Sequence, residues 1–311
     1  MNPIICIAGP TASGKTALAV ELALALDGEV VSCDSMQVYK RMDIGTAKPT
    51  PEERRGIPHH MIDVAEPWED YSVSRYCAQA APIVEDIVAR GKTAIIAGGT
   101  GLYLDSLIRG NDFAPFPSTG VREQLEAQAD REGIAVLFAQ LQQIDPAAAA
   151  RLPLSDRKRI VRALEVYLET GETITAHNLR TQQQPPRFAP VWLGLDFESR
   201  AALYSRIDAR VGQMLEAGLL EEIRSLLAAG IPEKCTAMQA IGYKEFTAAL
   251  EGRCNIDQAA DLVRQSSRRY AKRQLTWFRR NREIHWLVRR PGQTDAEILA
   301  QARQLLQEND R

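Results

Sequence analysis

The chain has 311 residues, 45% hydrophobic and 25% charged, with 38 Lys and Arg against 40 Asp and Glu, a formal net charge of −2. That composition excludes a disordered chain, and the length accommodates one large α/β domain plus a smaller insertion. No apolar run approaches the roughly 18 residues of a membrane span, and the overall charge gives no sign of a polyanionic partner. The five cysteines are odd in number and none has metal-site spacing, so neither a disulfide framework nor a zinc site is expected. With no charged leader before the first apolar run, the expected location is the cytoplasm.

In chain order, residues 3–8 are a short apolar run that reads as a buried strand ending at Gly9. The next eight, Gly9, Pro10, Thr11, Ala12, Ser13, Gly14, Lys15 and Thr16, fit G-x-x-x-x-G-K-[ST] at every defined position. Small residues let consecutive backbone N–H groups curl around phosphate oxygens, and the following helix presents its positive end to them. Lys15 supplies a point charge, and the Thr16 hydroxyl can ligate Mg²⁺. The motif establishes a bound phosphate or diphosphate; it does not establish ATP. A helix over 15–26 stops at Asp27-Gly28, and a strand over 29–33 closes on Asp34. At that position Asp34 reads as a carboxylate holding Mg²⁺ through water, as a general base, or as a turn-capping residue. A helix over 76–90 leads to a third apolar strand, 93–97, which ends in Gly98-Gly-Thr-Gly101 before another helix from Leu102. Asp34-Ser-Met-Gln37 and Gly98-Gly-Thr-Gly101 therefore lie at carboxyl ends of strands, where ligands of open α/β sheets bind.

The pattern changes after Gly110. Residues 111–117 and 182–190 are rich in proline and polar residues, and between them helices are expected at 121–132, 134–142 and 157–170, with no strand. A strand at 191–195 resumes the earlier pattern, followed by helices over 201–228, 237–250 and 257–280 and a last strand at 284–288. The expected fold is α/β: a P-loop NTPase-like parallel sheet flanked by helices, built from 1–110 and 190–311, with a helical domain inserted at 111–189.

Charge is concentrated near the end. From Arg264 to Arg290 there are ten basic residues and one acid, Glu283. Tyr270, Trp277 and Phe278 interleave with Lys272, Arg273, Arg279 and Arg280, which combines stacking surfaces with phosphate partners. Arg157, Lys158, Arg159 and Arg162, with Arg122, make a second basic patch on the insertion. Each run alone also fits a solvated helix face; two patches on two domains suggest a clamp on RNA. His59-His60 has no metal-spaced companion and reads as structural or RNA-facing.

Several blocks together resemble the tRNA dimethylallyltransferases: residues 9–16, Asp34-Ser-Met-Gln-Val-Tyr39, Met42-Asp-Ile-Gly-Thr-Ala-Lys-Pro49, Gly98-Gly-Thr-Gly-Leu-Tyr103, Asp156-Arg-Lys-Arg-Ile-Val-Arg-Ala-Leu-Glu165, Gln239-Ala-Ile-Gly-Tyr-Lys244 and Tyr270-Ala-Lys-Arg-Gln-Leu-Thr-Trp-Phe278. The resemblance covers nearly the whole chain in order. It implies transfer of a dimethylallyl group from dimethylallyl diphosphate to N6 of the adenosine at tRNA position 37, beside the anticodon. The phosphate loop would hold the donor with Mg²⁺, Lys15 and Arg210 would stabilise the leaving diphosphate, and Asp34 would take the amine proton. The implied RNA contacts are Asp34, Ser35, Met36, Gln37, Thr100, Arg122, Arg157, Lys158, Arg159, Arg162, Gln239, Lys272, Arg273, Trp277, Arg279 and Arg280, on the anticodon stem-loop. The zinc finger that some eukaryotic relatives add at the C-terminus is not expected, and nothing in the sequence requires more than a monomer.

Two other readings use part of the chain. A small-molecule kinase would share the phosphate loop, Lys15 and Thr16 but would not need the basic–aromatic segment. A non-enzymatic RNA-binding protein would need neither the loop nor Asp34.

Overall fold

The computed structural model describes residues 4–111 and 119–309. The sequence expectations for Pro3 and for most of the first linker, 112–117, lie outside the described residues. Six strands, β1 (Ile4–Ala8), β2 (Gly28–Ser32), β3 (His59–His60), β4 (Thr93–Gly98), β5 (Val191–Phe197) and β6 (His285–Arg289), form one sheet in the order β3-β2-β4-β1-β5-β6. Every neighbouring pair is parallel.

Both faces of this sheet are covered, which is why its central strands are apolar without interruption. Cys6, Ala8, Val31, Ala94 and Ile96 face one core with Tyr76, Ala80, Val84 and Ile87 of the helix Val73–Ala89. Ile5, Ile7, Val30, Ile95, Leu193 and Leu195 face the other, against Leu18 and Leu22 of the helix Lys15–Ala25 and Ile298, Ala302 and Leu306 of the helix Asp295–Asn309. Alternate residues of one strand thus serve opposite faces. Each fully buried isoleucine contributes about 2 kcal/mol.

Register decides where the loops emerge. Ala8 pairs with Gly98 and Ser32 with Ala97, so β1, β2 and β4 end side by side. The segments after them, beginning at Gly9, Cys33 and Gly99, open onto one edge. The Cys33 carbonyl lies so close to Gly98 that a β-carbon there would overlap it. Glycine is required at 98 for the two loops to approach.

The helix expected over 201–228 is two, Arg200–Glu216 and Leu219–Ala228, separated at Gly218 with φ 98°. The helix expected from 237 begins at Tyr243; a short 3₁₀ turn, Ala237–Gln239, and Gly242 at φ 100° precede it. Glycine at positive φ interrupts a helical pattern that composition alone reads as continuous.

Contacts divide the chain into two compact units, 1–108 with 188–311, and 109–187. Within the second, the helices Val121–Glu132, Ile134–Ile144 and Arg157–Thr170 bury Leu125, Leu137, Leu141, Ile160 and Leu164 against one another. Asp145 fixes the next turn by accepting from the N–H groups of Ala148 at 3.0 Å and Thr175 at 2.9 Å. Among the described residues this unit has no strand. It includes a further helix, Ile174–Gln183, that periodicity did not disclose.

Candidate active site

The phosphate loop leaves β1 at Gly9, with φ 153°, and turns through two left-handed residues, Ala12 at φ 61° and Gly14 at φ 94°. A β-carbon at Gly9 would overlap the Leu195 carbonyl of β5. The helix Lys15–Ala25 that follows has no side-chain cap and no acid in its first turn. Its first N–H groups and positive end are thus left without a side-chain partner. The Ser13 hydroxyl is buried without a hydrogen-bond partner among the described residues.

Three cations converge on this loop. Lys15 Nζ donates to the Pro10 carbonyl at 2.7 Å. Burial lowers its pKa to about 8; the Asp34 carboxylate opposes that shift and the Arg210 guanidinium adds to it. Arg206 Nε donates to the Ala12 carbonyl at 3.0 Å, and Arg210, one helical turn on, reaches Thr11 Oγ1 at 3.4 Å. Burial also lowers the Arg210 pKa, again opposed by Asp34.

The second loop holds Asp34 in a turn. Its Oδ1 accepts from the N–H groups of Met36 at 2.8 Å and Gln37 at 3.4 Å, whereas Oδ2 has no hydrogen-bond partner among the described residues. Thr100 Oγ1 accepts from the Ser35 N–H at 3.0 Å, and the Thr100 N–H donates to the Cys33 carbonyl at 3.3 Å. The Tyr270 pKa is pushed up to about 12 by burial first and by Asp34 second. The Asp34 carboxylate thus acts on Lys15, Arg210 and Tyr270 together, raising the pKa of each against or alongside burial.

A third wall comes from the helix Ile256–Phe278. Tyr270, Gln274 and Trp277 follow one another at i, i+4 and i+7 and share a face. Gln274 is buried, accepts from the Thr11 N–H at 2.8 Å and donates to the Gly99 carbonyl at 2.9 Å. Trp277 donates from Nε1 to Asp105 at 2.8 Å and lies against Gly101. Trp277 is therefore docked on its own protein, with the Arg280 guanidinium 5.6 Å over the ring. Arg273 lies 5.5 Å over the Tyr270 ring, and Lys272, Arg273 and Arg280 are exposed. Arg279 is tied to the buried Asp196 at 2.8 Å.

Other expected RNA contacts already have partners. The Gln37 amide donates to the carbonyls of Thr46 at 3.3 Å and Ala47 at 3.1 Å and accepts from Ser32 at 2.9 Å. Gln239, in the 3₁₀ turn, donates to the Glu233 carbonyl at 2.8 Å. In the second unit Arg157 pairs with Glu126 and Asp130, Arg122 and Arg162 share Glu165, and Arg159 pairs with Asp156, while Lys158 is exposed. Such surface pairs are weak enough to yield to a phosphate. His59 and His60 are structural: they form β3, and His60 Nε2 lies 2.8 Å from Glu29.

Sequence reasoning missed Gln274 and also Glu222, whose carboxylate accepts from the N–H groups of Asp43 and Ile44 at 2.8 Å, from that of Gly45 at 3.2 Å and from Tyr243 Oη at 2.6 Å. Together with buried Lys48, bonded to Tyr39 O, Asp43 and Asp63 at 2.6 Å, it pins the segment that follows the Asp34 loop. A polar Gln274 on the inward side of an amphipathic helix was the available signal.

A family model described as IPP transferase matches residues 37–281, and one described as isopentenyl transferase matches 2–70. The chain is 48% identical to the tRNA dimethylallyltransferase of Carboxydothermus hydrogenoformans over 284 residues, 91% of each chain. It belongs to the tRNA dimethylallyltransferase family. Another member, from Geobacter metallireducens, is 47% identical over 94% of each chain. Among solved structures of tRNA isopentenyl- and dimethylallyltransferases, that of the full-length tRNA isopentenylpyrophosphate transferase from Bacillus halodurans is similar with a TM-score of 0.73 and 39% identity, over 98% of this chain and 96% of that one. A eukaryotic dimethylallyltransferase acting on tRNA matches with a TM-score of 0.84 and 31% identity, over all of this chain and 79% of its own. No described helix is long and apolar enough to cross a membrane.

Proposed function

We propose that this chain transfers the dimethylallyl group of dimethylallyl diphosphate to N6 of the adenosine at position 37 of tRNA. The observation that carries the reading is the adjacency of an anion nest, with Lys15, Arg206 and Arg210 around it, to a crevice holding Asp34 and Thr100. The donor's diphosphate occupies residues 9–16. The amine nitrogen forms a bond to the allylic carbon, the carbon–oxygen bond to diphosphate breaks, and the electron pair leaves on the diphosphate oxygen. Loop N–H groups, Lys15 and Arg210 stabilise that growing charge. The exocyclic amine is a weak nucleophile because its lone pair is delocalised into the ring, so its proton passes to Asp34 as the new bond forms.

The hydroxyl of Thr16 is a hard oxygen donor of the kind Mg²⁺ takes. Among the described residues no group of three or more Asp, Glu, His or Cys could hold a metal by itself. This donor fits a Mg²⁺ that arrives with the diphosphate, where it would neutralise phosphate charge. On the acceptor side, an adenosine in a single-stranded anticodon loop leaves its stack at least cost. The exposed Lys272, Arg273 and Arg280, and the basic residues of the second unit, supply phosphate contacts for the stem-loop. All five cysteines are free, which suits a reducing cytoplasm.

The test is to incubate the protein with Mg²⁺, unmodified tRNA and dimethylallyl diphosphate labelled in the prenyl group, with γ-labelled ATP as a competing donor. Prenyl label should appear in adenosine 37, and ATP should neither donate nor be hydrolysed. Phosphate transfer or ATP hydrolysis without prenyl transfer would overturn the reading.

A further inference from the structure

In a phosphate loop of this kind the backbone N–H groups are the anion's ligands. One of them is already taken here. The Thr11 N–H donates to Gln274 Oε1 at 2.8 Å, and the same amide donates from Nε2 to the Gly99 carbonyl at 2.9 Å. One side chain, buried and hydrogen-bonded through both amide atoms, therefore spans the donor's phosphate loop and the loop that carries Thr100. The fit leaves no slack on the far side, since a β-carbon at residue 99 would collide with the Gln274 amide. Thr11 is held from another direction by Arg210, through Oγ1 at 3.4 Å.

The same helix face adds one more tie on the acceptor side, from Trp277 to Asp105 at 2.8 Å, in the helix Gly101–Arg109 that follows the loop. That tie does not reach the phosphate loop. Within this stripe Gln274 alone touches both loops.

We infer that Gln274 is a positioning residue which sets the distance between the bound diphosphate and the acceptor nucleotide. It touches neither substrate. It fixes the backbones that do, so that the attacking nitrogen, the allylic carbon and the leaving oxygen are aligned when both substrates are bound. Misplacement by about 1 Å can cost roughly 100-fold in rate with little change in binding. This inference rests on the prenyl transfer proposed above.

Two substitutions test it. Gln274→Leu keeps the volume and removes both hydrogen bonds; kcat should fall by roughly 10- to 100-fold, with the KM for each substrate changed by less than about threefold. Gln274→Glu retains the acceptor for Thr11 but presents a charged oxygen to the Gly99 carbonyl until it is protonated. The ratio of its kcat to that of wild type should therefore rise as pH is lowered, while the ratio for the leucine variant stays flat. Thermal melting of each variant is followed alongside; where the leucine variant does not fold, the pH dependence of the glutamate ratio decides. A folded leucine variant with kcat within about threefold of wild type would overturn the inference, as would a flat glutamate ratio. Wild-type protein in the same assay separates the two levels: no prenyl transfer by it defeats the proposed reaction, whereas active wild type with unaffected variants defeats only the role of Gln274.

Discussion

The Asp34 carboxylate holds up a Lys15 pKa that burial brings down to about 8. An anion arriving in the loop acts in the same direction as Asp34. Diphosphate binding should raise the lysine pKa, so at pH 8.5–9 binding should be accompanied by proton uptake, and affinity should fall as pH rises past about 8. Calorimetry with inorganic diphosphate in buffers of different ionisation heat measures the uptake. Lys15→Arg, charged throughout, should abolish it; uptake that persists in this variant would assign the proton elsewhere.

Asp34→Asn retains the hydrogen bonds from Met36 and Gln37 but removes the proton acceptor. Turnover should fall by roughly 10²–10⁴, the usual worth of a positioned base, with donor and tRNA affinities nearly unchanged. Raising Mg²⁺ should not restore the rate. Restoration by excess metal would make Asp34 a metal partner instead.

The basic helix separates into two kinds of arginine. Arg273→Ala with Arg280→Ala should weaken tRNA binding and flatten its salt dependence, by about one unit of slope for each phosphate no longer neutralised, with little change in melting temperature. Arg279→Ala should do the reverse, because among the described residues it leaves the buried Asp196 with only Arg200 as an ionic partner. Its cost should be about 1 kcal/mol of stability. Filter binding at a series of salt concentrations and thermal melting distinguish the two.

Glu29 is buried on β2, where hydrogen bonds from Arg90 lower its pKa from 4.5 to about 2, with His60 adding to the shift and burial opposing it. Since the folded value lies below the unfolded one, the stabilisation is complete above about pH 4.5 and is lost as pH falls towards 2. Glu29→Gln should cost on the order of 2 kcal/mol at pH 7, after allowance for the solvent exposure of Arg90. The difference between variant and wild type should shrink in acid. Denaturant melts at pH 7 and pH 3.5 measure it, and an equal difference at both would exclude the pair as its source.

The sheet was legible because parallel strands buried on both faces leave unbroken apolar runs such as Ile4–Ala8 and Thr93–Gly98, each punctuated by glycine. The two-residue β3 was not, since a strand of His59 and His60 has no apolar pattern and exists through pairing with Val30 and Val31. The phosphate loop could be read because its function lies in the backbone geometry that its small residues permit. The inward side of an amphipathic helix marks Gln274 as unusual, but neither its partners nor those of Glu222 could be read from local pattern. Each acts on chain distant in sequence, and a single amide or carboxylate on a helix carries no sign of which backbone it will meet. The basic clusters were visible as composition, but which of their side chains have an internal acid partner depends on Glu126, Glu165 and Asp196 elsewhere in the chain.

The bond between Thr11 and Gln274 joins positions 263 residues apart. A ribosome delivers Thr11 near the start of synthesis and Gln274 near the end, and N-terminal segments begin to fold first. Strands β1 to β4 can pair while the rest is still being made, yet the phosphate loop lacks its last tether until the helix Ile256–Phe278 has emerged. A nascent chain therefore has a sheet before it has a site. Shortening the protein from its C-terminal side into that helix should leave a folded remnant of the sheet at best, with no competent centre.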